Sequence, residues 1–240
     1  AMDTRLRPSG SHGMLVVSLT AFDRYHRDGA QAWERQALVR ARPVAGDASL
    51  ARDVAARFTA LAFDGATASA EELAAMRLRI QRELALETPG RYHAKLGYGA
   101  LLDIEFLVQW LQMQYGANLA VRVRGTVAAI GALEAIGGLT TEQAGVLRTG
   151  HRFFRRVEQA VKLMDGTLEP VLSGRTATAL ARWLGLRERD GLPPEAVLRD
   201  TWHRQAEDVR SVFEAIAAPV GAAASWHEPP RAPPTHEKPE

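Results

Sequence analysis

The chain has 240 residues, 46% of them hydrophobic, enough to bury a core of ordinary size in one domain or two small ones. Thirty basic against 28 acidic side chains leave a net charge of +2, so no one-sign field steers the chain toward nucleic acid or a membrane surface. The absence of cysteine excludes disulfides and thiolate chemistry, and no apolar run reaches the roughly 20 residues of a membrane helix. The first residues also lack the basic, apolar and small-residue regions of a signal peptide, so the expected location is the cytoplasm.

Residues 1–7 alternate apolar and charged side chains as a strand does, and Pro8-Ser9-Gly10 breaks that pattern. A lone strand leaves its backbone groups unpaired, so this one is either part of a sheet encoded upstream or frayed, and a chain that opens in mid-pattern favours the first. From Ser18 onward the apolar period changes to about 3.6. Ser18 or Thr20 caps a helix reaching Tyr25, and Ala32 to Arg42 forms a second that stops before Pro43. Asp47 caps a third, with Leu50, Val54, Phe58 and Leu61 on one stripe. Ser69, followed by Glu71 and Glu72, opens a fourth that runs to about Leu86, and Thr88-Pro89-Gly90 ends it. After an irregular stretch from Arg91 to Gly99, Ala100 to Tyr115 is apolar nearly all round and reads as the buried central helix. Val127 to Ile136, Thr141 to Met164, Ala177 to Leu184 and Pro194 to Ala218 complete a series whose short connections predict a multi-helix bundle. Residues 221–240, rich in Pro, Ala, Glu and His, have little to bury and are expected to form a disordered tail.

Several of these residues can carry chemistry. Asp3, Arg5 and Arg7 share one face of the first strand, because strand side chains alternate with a period of two. A carboxylate beside two guanidinium groups suits a hard cation such as magnesium and the oxygens of a polyphosphate, and it equally suits a salt-bridged surface strand. Lys95 lies in the irregular stretch before the central helix, where an ammonium can meet phosphate. Asp103 and Glu105 are about 200 degrees apart around that helix, so they cannot form a two-carboxylate site by themselves. Either can face a cleft, cap the helix, or pair with a buried arginine. Trp33 and Trp110 read as core anchors, and Glu158 with Arg155 and Arg156 as a solvated helix face. The histidines show no spacing that suggests a zinc site.

The stretches Asp3-Thr-Arg-Leu-Arg-Pro-Ser-Gly10, Gly13-Met-Leu-Val-Val-Ser18 and Trp33-Glu-Arg-Gln-Ala-Leu-Val-Arg-Ala-Arg42 closely resemble the glutamine synthetase adenylyltransferase family. That family's pattern reads D-x-R-L-R-P-S-G, then x-x-G-x-L-V-x-S, then W-E-x-Q-A-L-x-R-A-R. Lys95, Asp103-Ile-Glu-Phe106 and Gln109 resemble its K-x-x-x-G-G-x-x-D-I-E-F-x-x-Q, with Gly99-Ala100 in place of the paired glycine. Weaker likeness runs through Phe154-Arg-Arg-Val-Glu158 and Leu180-Ala-Arg-Trp-Leu-Gly185, so that about residues 3–186 are covered.

The resemblance implies the last strand of an α/β nucleotidyltransferase core and its following helices over residues 1–46. A helical bundle over 47–220 and the tail follow, so the fold class is mainly α with a remnant strand of that core. It also implies an enzyme that moves AMP from magnesium ATP to a tyrosine of glutamine synthetase, with a PII-type signalling protein as a further partner. Asp3 becomes the third metal-binding carboxylate, Arg5 and Arg7 (with Lys95) the nucleotide contacts, and Asp103 and Glu105 the cleft candidates. The family's first two metal carboxylates come from G-S-x-D-x-D, which does not occur in these 240 residues. The chain by itself is therefore expected to be inactive, leaving as the other reading a non-catalytic helical module that binds glutamine synthetase or a PII protein. Pro8-Ser9-Gly10 and Gln36-Ala37-Leu38 resemble the carboxyl-terminal, adenylylating copy of the family's two fused halves, and the chain is expected to be a truncated form of it.

Overall fold

A computed structural model describes residues 12–64, 67–166 and 169–217. Asp3, Arg5 and Arg7, the strand expected over 1–7 and the expected tail all lie outside the described residues. Within them the chain is mainly α, as its periodicity predicts. The helices are α1 (Leu19–Asp28), α2 (Ala32–Leu38), α3 (Ala48–Phe63), α4 (Ala70–Ile80), α5 (Leu101–Gln114), α6 (Thr126–Ala135), α7 (Thr141–Asp165), α8 (Gly174–Trp183) and α9 (Pro194–Ala217). Two short strands, β1 (Tyr92–His93) and β2 (Val171–Leu172), pair antiparallel with Tyr92 opposite Leu172 and His93 opposite Val171.

Helix starts follow side-chain caps. Ser18 Oγ accepts from the Ala21 amide at 3.2 Å, and Asp47 Oδ1 accepts from the Leu50 amide at 2.8 Å. Ser69 with Glu72, and Thr140 with Gln143, form reciprocal capping boxes at α4 and α7. Helix ends depart more from the sequence expectation. α2 stops at Leu38 rather than Arg42, because the amides of Val39, Arg40 and Ala41 turn to carbonyls three residues back and tighten the chain ahead of Pro43. α4 stops at Ile80, and residues Gln81–Ala85 continue as a π turn that ends on Leu86 in the left-handed region, φ 48°. α8 begins three residues before Ala177, where Ser173 and Thr176 cap one another.

The chain divides into two compact units. The first takes Ala1–Ala68 and Gln109–Leu133. Its small core joins Val39, Ala62 and Met113, with Leu38 and Phe63 packed alongside. Tyr25 donates its hydroxyl to Glu34 at 2.5 Å, tying α1 to α2, and the buried amides of Gln36 and Gln109 meet at 3.4 Å. Trp110 is a partly buried anchor whose indole donates to the Ala68 carbonyl at 2.8 Å. Trp33, expected in the core, instead remains 39% exposed, and its indole donates to the Gln31 side chain. Leu50 likewise stays exposed, while Ala62 is the buried residue of α3.

The second unit takes Ser69–Val108 and Glu134–Glu240. Its core is built on Trp202 of α9, against which the ring of Phe154 on α7 stands edge-on at 5.2 Å and that of Tyr92 tilts at 5.9 Å. Burying a ring such as Phe154 stabilises by about 1.5–3 kcal/mol, so this cluster holds β1, α7 and α9 together. Two glycines allow the close approach. A Cβ on Gly99, φ 61°, would collide with the backbone of Ala206, and one on Gly150 would collide with the side chain of Val209.

Candidate functional site

The segment between the π turn and α5 carries Lys95, and three buried or partly buried ionisable side chains fix its backbone. Glu87 accepts from the amides of His93 and Tyr98, each at 2.9 Å. His93 Nδ1 accepts from the amides of Lys95 at 3.2 Å and Leu96 at 3.1 Å. Arg77, from α4, donates to the carbonyls of Leu96 at 3.0 Å and Gly97 at 2.5 Å. Lys95 is exposed on this pinned turn. Burial lowers the His93 imidazole below its ordinary value, with Glu169 pulling the other way. Burial raises the Glu87 carboxyl, although its two amide donors and Arg77 oppose the rise.

Asp103, in the first turn of α5, lies between two guanidinium groups. Arg77 pairs with one of its oxygens, and Arg210 of α9 pairs with the other at 3.2 Å. All three side chains are essentially inaccessible to water. Arg210 also donates to Gln81 of the π turn at 2.5 Å and lies 4.6 Å from the Tyr98 ring centroid. Burial lowers the Arg77 value, Asp103 raises it, and Arg210 lowers it again. A carboxylate held on both sides in this way offsets part of the charge of two buried cations. Of the roles open to Asp103 in the sequence, the arginine pairing is the one this arrangement describes.

Glu105 belongs to a separate row. Arg155 of α7 reaches it at 2.6 Å and reaches Glu158 at the same distance, while Lys162 holds the second oxygen of Glu158 at 2.8 Å. Glu158 is buried, which corrects the expectation of a solvated face: Arg155 bridges α7 to α5 and draws Glu158 under cover. Burial works to raise the Glu158 carboxyl, but hydrogen bonds from Lys162 and Arg155 overcome it and leave the group below its ordinary value. Asp103 and Glu105 thus pair with arginines of different helices, in keeping with their separation around α5.

No group of three His, Cys, Asp or Glu side chains among the described residues can hold a metal ion. The expected magnesium ligand, Asp3, lies outside the described residues. Sequence reasoning missed Arg77, Glu87, His93 and Arg210. One clue was present: Arg77 falls on the same α4 face as Leu73 and Ala74, and Arg210 follows Ala206 and Val209 and precedes Phe213, so each cation interrupts an apolar stripe.

Comparison with known proteins adds two matched stretches. A family model described as glutamate-ammonia ligase adenylyltransferase matches residues 1–57, and one described as PII-uridylyltransferase matches residues 69–217. The chain is 34% identical over 220 residues to a bifunctional glutamine synthetase adenylyltransferase/adenylyl-removing enzyme of Streptomyces coelicolor, covering 90% of this chain and 22% of that protein. A protein of the same description from Chromobacterium violaceum is 36% identical over 188 residues, covering 76% of this chain and 21% of its own length. One from Thioalkalivibrio sulfidiphilus is 42% identical over 120 residues, covering 49% of this chain and 12% of its own. The chain thus spans about a fifth of the length of the first two relatives.

Proposed function

The chain belongs to the glutamine synthetase adenylyltransferase family, and from that premise we propose that it serves the transfer of AMP from magnesium ATP to a tyrosine of glutamine synthetase. In this reading residues 1–46 close a nucleotidyltransferase core and residues 47–220 form the helical body beside it. The work is cytoplasmic, and the half is the adenylylating one. Asp3 is the proposed metal ligand, Arg5 and Arg7 the proposed phosphate contacts, and Lys95 a further contact from its pinned turn. One observation carries this division of labour: both acids of the Asp-Ile-Glu-Phe motif are closed by arginines, so the bundle offers neither to a metal. The bundle is framework, and the 240 residues alone, without G-S-x-D-x-D, transfer no AMP.

The test incubates the 240-residue chain with glutamine synthetase, magnesium and labelled ATP, alone and joined to a segment that carries G-S-x-D-x-D. Label should pass only in the joined protein, and Asp3→Asn there should abolish it. Robust labelling by the chain alone overturns its incompetence, and full activity in Asp3→Asn overturns the metal role. A second reading, a non-catalytic module that binds glutamine synthetase or a PII-type protein, draws on the match of residues 69–217 to the PII-uridylyltransferase family. ATP-independent co-elution of the chain with either protein would favour it. Among the described residues no helix is long and apolar enough to cross a membrane.

A further inference from the structure

Within the first unit, α2, α3 and the turn after residue 121 line an open cavity of about 320 Å³. Leu38, Val39, Phe58, Phe63 and Val123 give it apolar walls. Small-molecule sites begin near this size, and a dry cavity of about 150 Å³ already takes a benzene ring. The rim is cationic. Arg122 lies 4.9 Å from the Phe63 ring centroid and is held there by Asp64 at 3.2 Å and by the Gly116 carbonyl at 2.8 Å. Arg124 also lines the cavity and is exposed, and no described carboxylate pairs with it. Thr59 turns its hydroxyl proton back to the Ala55 carbonyl, which leaves the oxygen's lone pairs but no donor for a ligand, so the anion-seeking groups are the two guanidiniums.

We propose that this cavity binds a small molecule that joins a flat apolar ring system to a carboxylate or a phosphate. The rings enter between Phe58, Phe63 and Leu38, where they exchange water for apolar and aromatic contact. The anion stays at the mouth on Arg124, whose planar fork meets a carboxylate or phosphate through two parallel hydrogen bonds. Arg122, already shared with Asp64, contributes its face to the wall and a weaker field. A neutral ring compound gains the first interaction only and an inorganic anion the second only, so the site selects the combination. This binding is independent of the transfer reaction, since no residue of the cavity belongs to the proposed metal or phosphate contacts.

Calorimetric titration of the 240-residue chain with 1-naphthyl phosphate and with 1-naphthoate separates the two anion sources, with 1-naphthol and inorganic phosphate as half-ligands. One equivalent of at least one naphthyl anion should bind, 1-naphthol about tenfold more weakly, and inorganic phosphate not at all. Arg124→Gln should weaken the anions about tenfold and leave 1-naphthol unchanged. Ala55→Trp, placed to fill the cavity, should remove all binding while circular dichroism keeps the parent helix content; if that variant loses helix, Arg124→Gln alone decides, because the residue is exposed. The proposal is overturned if neither naphthyl anion binds, if Arg124→Gln binds like the parent, or if folded Ala55→Trp still binds. It is also overturned if the anions fail and the chain forms a dimer that Ala55→Trp dissociates, since the cavity then receives a second copy.

Discussion

Asp103 is the residue whose chemistry changes most between sequence and structure. Its position after Gly99-Ala100 and Leu101-Leu102 announces a helix start, and nothing in the local pattern reveals that Arg77 and Arg210 come from distant elements to meet it. Asp103→Ala removes the carboxylate that two buried guanidiniums share, and urea denaturation should show a loss of about 3–5 kcal/mol; a change below about 1 kcal/mol would contradict the pairing. His93 supports a pH prediction. Its folded value is lowered, so below the ordinary 6.5 the unfolded chain takes up a proton that the folded chain refuses. That stability is fully present above pH 6.5 and is lost as pH falls from there toward the folded value. His93→Asn keeps an acceptor for the Lys95 and Leu96 amides but cannot titrate, so its urea midpoint should fall less steeply between pH 7.5 and 5.5 than the parent's. His26 is also lowered by burial and keeps part of the slope in both proteins, while Glu87 and Glu214, both raised by burial, act oppositely in both. Equal slopes in parent and variant would remove His93 from the account.

Elements were legible where a side chain marks their start and less so where geometry ends them. Asp47, Ser69 and Thr140 cap the helices they precede, and the central helix and α7 lie within a residue or so of the periodic pattern. The end of α2 and the π turn after α4 depend on backbone hydrogen bonds that a sequence does not display. The paired glycine of the family resolves here into one demanding position and one tolerant one. Gly99 has a positive φ and faces the Ala206 backbone, whereas Ala100 is simply buried. The α7–α9 contact gives a contest of known sign. Gly150→Ala gains about 1 kcal/mol of helix propensity but drives a methyl into Val209, and overpacking costs about 1–3 kcal/mol. The variant should therefore melt below the parent, and the double variant with Val209→Ala should lose less than the sum of the two single losses, because the added methyl fills the space that Val209 gives up. A Gly150→Ala protein that melts higher would show that the helices part freely.

At the level of the whole molecule, composition and period sufficed for a mainly helical chain, and the short motifs sufficed for its family. Of the candidate site, Asp3, Arg5 and Arg7 lie outside the described residues, while the acids of the central helix pair with arginines brought from α4, α7 and α9, which the sequence does not display. Loss of labelling in the joined Asp3→Asn protein therefore remains the decisive measurement of the proposed function. The Arg77–Asp103–Arg210 contact also orders events during synthesis. Its last member emerges from the ribosome long after the first two, together with Trp202 and Phe213, which the same core needs. Nascent chains stalled before α9 carry an Arg77–Asp103 pair still waiting for its second cation, and they should remain protease-sensitive until that helix arrives.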